Sequence, residues 1–129
     1  MKPVFQTIFV PPLGNCLQAA IASVMELPLE SVPNFAQYFH RDDWYETIAE
    51  FLKPHGLYPV ELHRPEEGWG NFSPRGYHLI TGQSPRGPYL HTLVGYQGKP
   101  VHDPYAQGDC KLTSTTSYTL FVHLMEPSQ

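Results

Sequence analysis

Apolar residues recur with a helical period in the first third of the chain and with the two-residue period of strands after Gly56. Leu17, Ala20, Ile21, Val24 and Met25 form one helical stripe within residues 16–27. Gln18 and Glu26 fall off that stripe, and Pro28 stops the helix. Before it, residues 5–10 are apolar enough for a short strand or an extended lead-in, ended by Pro11 and Pro12. Residues 29–35, bracketed by Pro28 and Pro33, read as a tight turn or a single helical turn. A second helix is predicted over 43–53, with Asp42 or Asp43 as its cap and Glu46 in its first turns. Trp44, Ile48, Phe51 and Leu52 give its core face, Pro54 prevents extension, and Gly56 is placed to terminate it.

Strands are predicted at 57–63, 77–81, 89–96, 99–103 and 117–124, the last alternating and rich in Tyr, Thr, Phe and Val. Loops rich in Gly and Pro fill 64–76 and 82–88. Helices first and an antiparallel sheet afterwards make an α+β fold, read as a single domain over residues 1–129.

Hydrophobic residues make up 41% of the chain and charged residues 16%, which argues for a packed globule. The net charge of −4 supplies no basic field, so nucleic acid and anionic lipid are not expected partners. No apolar run approaches the ~20 residues of a membrane span, and residues 1–7 do not read as a secretory leader. A cytoplasmic protein is the expectation. There the two cysteines, Cys16 and Cys110, stay reduced. They lack zinc-finger spacing, and no pair among His78, His91, His102, Asp103 and Cys110 has a recognised ligand spacing, so no metal is expected.

Cys16 follows Pro11-Pro12-Leu13-Gly14-Asn15 and opens the first helix. An isolated cysteine is more often a small buried hydrophobe. Here Asn15 is a natural N-cap, so the sulfur falls in the first turn, where unpaired N–H groups and the macrodipole favour a thiolate. Cys110, in Gly108-Asp109-Cys110-Lys111, has no helix start and reads as structural.

Residues 91–103 form a hairpin that brings in a base. If the loop is Tyr96-Gln97-Gly98 with Gly98 in a G1 bulge, His91 pairs directly with Asp103, about 5 Å apart at Cβ. With a two-residue Gln97-Gly98 loop, Asp103 opposes Thr92 and points to the other face, while His102 comes opposite Leu93. Gln6, in an otherwise apolar stretch, is an oxyanion candidate. The helix-start N–H groups, Gln18 and Asn15 are further candidates.

Gly14-Asn15-Cys16-Leu17-Gln18-Ala19-Ala20, Ser84-Pro85-Arg86-Gly87, His91-Thr92-Leu93-Val94-Gly95 and His102-Asp103-Pro104 together resemble a papain-like cysteine peptidase. More narrowly, they resemble the small bacterial and phage proteins of the C39-peptidase-like group. The resemblance covers about residues 6–108 and rests on the order and spacing of these short motifs. It implies a papain-like fold, Cys16 as nucleophile, His91 as general base and later acid, and Asp103 as the residue orienting it. Gln6 lies ten positions upstream of the cysteine, farther than the family's oxyanion glutamine usually does, and Leu17 stands where a small residue is usual. The implied activity is hydrolysis of an amide, isopeptide or thioester bond in a peptide or other acyl substrate, without a cofactor. Transglutaminase-like acyl transfer and a non-catalytic peptide- or ligand-binding module are the alternatives, because one fold hosts many reactions. Loops 64–76 and 82–88 are expected to wall the cleft.

Overall fold

Small side chains let the first helix run through the middle of the molecule. In the computed structural model, which describes residues 1–125, α1 spans Cys16–Met25. The last four residues of the expected 1–129 domain lie outside the described residues. Ala19, Ala20, Ile21 and Ala22 are fully buried, and so, contrary to the single-stripe expectation, is the middle turn all round. Gln18 points inward, and its amide donates to the carbonyls of Leu29 (3.1 Å) and Val32 (2.8 Å). Burial is tolerated because those hydrogen bonds satisfy the amide. The helix ends where Glu26 takes a left-handed conformation at φ 58°, two residues before Pro28.

Single turns of 3-10 helix follow at Leu29–Ser31 and Phe35–Tyr38. The second helix, α2, spans Trp44–Leu52 and passes into a 3-10 turn at Lys53–His55, closed by Gly56 at φ 75°. Asp43 precedes α2, but its carboxylate binds the Arg41 guanidinium at 2.8 and 2.7 Å rather than capping the helix.

The five strands are β1 Leu57–His63, β2 Tyr77–Gln83, β3 Leu90–Tyr96, β4 Lys99–His102 and β5 Ser114–His123. They form one antiparallel sheet in the order β1-β5-β2-β3-β4. The α+β class and the helices-then-sheet order are those the hydrophobic pattern predicts. Residues 5–10 form no strand. They form an irregular segment with bends at Thr7 and Val10, tied to the residues after β4 by the Gln6 N–H donating to the Pro104 carbonyl at 2.9 Å.

The two sheet faces differ. Leu57, Phe121, Leu79 and Val94 pack with Ala20, Ile21, Phe35, Ile48 and Leu52 into the main core. On the reverse face, the 64–76 loop lays Trp69 and Phe72 on Tyr118, with centroids 4.5 and 6.1 Å away. Among the described residues no helix is long and apolar enough to cross a membrane.

Candidate active site

Asn15 does not cap α1 with its side chain. Its Oδ1 accepts from the N–H groups of Thr7 and Ile8, both at 2.9 Å. Its Nδ2 donates to Thr7 Oγ1 (3.1 Å) and Gln18 Oε1 (3.2 Å). The irregular segment before Pro11 presents two N–H groups that no strand partner meets, and Asn15 supplies their acceptor. The expected N-cap is thus a clamp, and the first-turn N–H groups of α1 are left without a side-chain cap. Asn15 and Gln18 are both committed, which removes them as oxyanion candidates.

His91 and Asp103 meet by a route the sequence did not specify. The hairpin loop is Gln97-Gly98, with φ 54° and 84°. Both residues are therefore left-handed, the two-residue turn that twists with the strands. Tyr96 pairs with Lys99 and Gly95 with Pro100, so the direct His91–Asp103 pairing of the three-residue loop is not formed. A bulge then inserts Val101, and Val94 pairs with His102. That extra residue reverses the side-chain parity. Asp103 comes level with Leu93, one step diagonal from His91, within reach of a long side chain. His91 Nε2 lies 2.7 Å from Asp103 Oδ1, and the two residues are 2% and 6% exposed. His102 turns away, its Nε2 donating to the Val4 carbonyl at 2.8 Å.

Asp103 is held on every side. Oδ1 also accepts from the Tyr105 N–H (2.9 Å), and Oδ2 accepts from the Cys110 N–H (3.2 Å). Gly108 packs so closely that a Cβ there would overlap Oδ2. Burial alone would raise the Asp103 pKa. Hydrogen bonds from His91 and the Tyr105 and Cys110 N–H groups outweigh it and hold the carboxyl below its ordinary value.

An acceptor at Nε2 fixes the proton on that nitrogen, so neutral His91 keeps its lone pair at Nδ1. Burial works against the imidazolium. The hydrogen bond to Asp103, together with the nearby Cys16 sulfur and the charges of both groups, prevails and raises the pKa of His91 to about 9. The Cys16 sulfur therefore acts on the same ring that Asp103 orients. Cys16 and Cys110 are both free thiols. For Cys110, burial and then the charges of Asp103 and Asp109 push the thiol pKa up, and its φ of 60° suits a turn.

Cys16 and His91 open into a cleft of about 750 Å³, mostly apolar, which Gln6 also lines. Gln6 is 8% exposed. Its Nε2 donates one N–H to the Ile8 carbonyl at 3.0 Å, and its Oε1 is buried with no partner. The 82–88 loop contributes Arg86 to the wall, as expected. The 64–76 loop does not line the cleft, because Trp69 and Phe72 commit it to the reverse face. In its place stand Phe9, Leu13, Phe39 from the turn before α2, and Trp44 and Tyr45 from the first turn of α2.

Sequence reasoning did not single out Gly108, Tyr105 or the Cys110 N–H as supports of Asp103. The Asp-Pro step followed by a glycine four residues later marks a turn folding back on that carboxylate, and was the available sign. Among the described residues no group of three or more His, Cys, Asp or Glu side chains gathers that could hold a metal ion. No family model, curated protein or solved structure matches the chain.

Proposed function

We propose that this protein is a papain-like cysteine hydrolase, akin to the small C39-peptidase-like proteins of bacteria and phages, that opens an amide, isopeptide or thioester bond through an acyl-enzyme. The observation that carries this reading is the buried 2.7 Å contact of His91 with Asp103, on a ring whose pKa is also raised by Cys16. A histidine kept only for packing has no need of both partners.

In this mechanism the Cys16 sulfur attacks the substrate carbonyl and its proton resides on His91 Nδ1. Asp103 holds the imidazolium in place through Nε2. The N–H groups at the start of α1, free of a side-chain cap, meet the tetrahedral oxyanion together with the second N–H of Gln6. His91 then protonates the leaving group as the carbon–heteroatom bond breaks, leaving an acyl-Cys16 thioester. Water enters, gives its proton to His91 and attacks the thioester carbonyl. The acid departs and the proton returns to sulfur. No cofactor takes part in these steps, and a cytoplasmic setting suits a free thiol nucleophile.

The test is a panel of peptidyl thioesters and amides followed by intact mass and product release. Cys110→Ser should retain turnover, and Cys16→Ala should lose it while the parent shows a transient acyl adduct on Cys16. Equal turnover in Cys16→Ala and the parent would end this reading. Efficient capture of the acyl group by an added amine in place of water would make the protein an acyltransferase.

A further inference from the structure

The sheet face beneath the helices changes chemistry along its strands. Val94, Leu79 and Thr119 lead across the sheet to Glu61, and Thr92, Thr81 and Ser117 lead to His63. The near part of these rows belongs to the core. Beyond it the polar members form the floor of the cleft, which runs from His91 on β3 to Glu61 on β1. Three interstrand spacings separate these strands, roughly 14 Å.

Glu61 is out of place at that far end. Its side chain is only 25% exposed, in a cleft whose walls are mostly apolar. Among the described residues it pairs with no lysine or arginine. Its ionic neighbour is the largely exposed His63, at 3.8 Å. A carboxylate partly withdrawn from water, with no permanent counter-charge among the described residues, is suited to receive a cation.

Beside it, Phe39, Trp44 and Tyr45 stand edge to face in a ladder, with centroids 4.9 and 5.7 Å apart. The Tyr45 hydroxyl is buried and has no hydrogen-bond partner. Its pKa is raised by burial and then by the charge of Glu61, so the two groups feel one another. A carboxylate beside aromatic rings matches a cation that can use both. At the opposite end Arg86 lies over the Tyr105 ring, 4.0 Å from its centroid, and disfavours a second positive charge there.

We propose that the β1 end of the cleft is a subsite for a cationic group of the substrate, an alkylammonium or guanidinium, held by Glu61 against the Trp44–Tyr45 wall. Glu61 is level with Val94, three residues along β3 from His91, so the substrate class is an acyl compound or peptide with a positive charge roughly 17 Å from the catalytic ring's strand position, about five extended residues. This rests on the reading of Cys16 as the reactive thiol.

The experiment uses chloroacetyl peptides of one to four alanines ending in lysine amide or in isosteric norleucine amide. Alkylation forms the Cys16 sulfur–carbon bond as the carbon–chlorine bond breaks and chloride leaves. Rates at Cys16 are read by peptide mass mapping, each divided by the same variant's rate with iodoacetamide. The expected result is a lysine preference of about tenfold or more at one chain length, equivalent to about 1.4 kcal/mol, that collapses towards unity in Glu61→Gln. Equal lysine and norleucine rates at every length, or a preference that survives Glu61→Gln, would overturn the subsite. Failure of the nucleophile reading looks different: Cys16 would alkylate no faster than Cys110 and would be insensitive to His91→Ala, whatever the ratio between the two probes.

Discussion

Gly108 closes against Asp103 so tightly that the carboxylate occupies the space where a side chain would begin. The 105–110 turn thus wraps the acid with backbone, donating the N–H groups of Tyr105 and Cys110 while Gly108 leaves room for it. A carboxylate gripped in this way cannot rotate from His91 without losing several bonds at once. That rigidity is what an orienting residue requires.

Gly108→Ala should push the Asp103 carboxylate off the His91 ring. Turnover is expected to fall about 10-fold to 100-fold, with the alkaline limb of the pH–rate profile moving down as His91 loses its partner. A thermal melt checks that the fold survives. An unaltered pH profile together with full activity would mean that the turn does not position the acid.

His91 and Asp103 also set how stability depends on pH. The folded pKa of His91, about 9, lies above its ordinary 6.5. Its contribution is therefore fully present below about 6.5 and is lost as pH rises through about 9. Asp103 works in the opposite sense. Its folded pKa is below 3.8, so its contribution is present above that value and fades as pH falls through the folded pKa. Urea midpoints should decline from near neutrality to about pH 9 in the parent. In Asp103→Asn the decline should be shallower, on a protein destabilised by about 2–4 kcal/mol.

Asn15→Ala removes the acceptor of the Thr7 and Ile8 N–H groups and both donor bonds of the amide. Leaving two part-buried donors unmet should cost about 2–3 kcal/mol. The loss should concentrate in the segment that carries Gln6, Phe9 and Leu13 into the cleft. Hydrogen exchange at Thr7 and Ile8 is the direct readout, and unchanged protection there would show that other contacts hold the segment.

Several of these features were legible before any coordinates. The segment from Leu57 to His63, set between Gly56 and a loop rich in Gly, Pro and Glu, is a strand with the predicted bounds. The helix from Cys16 and the turn at Gly56 follow from local residues, whose preferences act over a few positions. What was not legible is non-local. The insertion of β5 between β1 and β2 depends on pairing across more than fifty residues. Val101 gives no hint that it will bulge, yet without that bulge Asp103 would face away from His91. Asn15 has the residue type of a cap, and a segment eight positions upstream diverts it. Trp69 and Phe72 were visible as large apolar residues in a loop. Only the alternation of Ile80 and Tyr118 on the reverse face says which side they cover.

The coupling of Cys16 to His91 is tested most directly by titrating the ring nitrogens of His91 by NMR in the parent and in Cys16→Ala, with His91→Gln supplying the assignment. The expected result is a midpoint near 9 in the parent that drops clearly once the sulfur is gone, since the neighbouring sulfur helps to raise it. A midpoint near the ordinary 6.5 that is indifferent to Cys16→Ala would contradict the proposed pair.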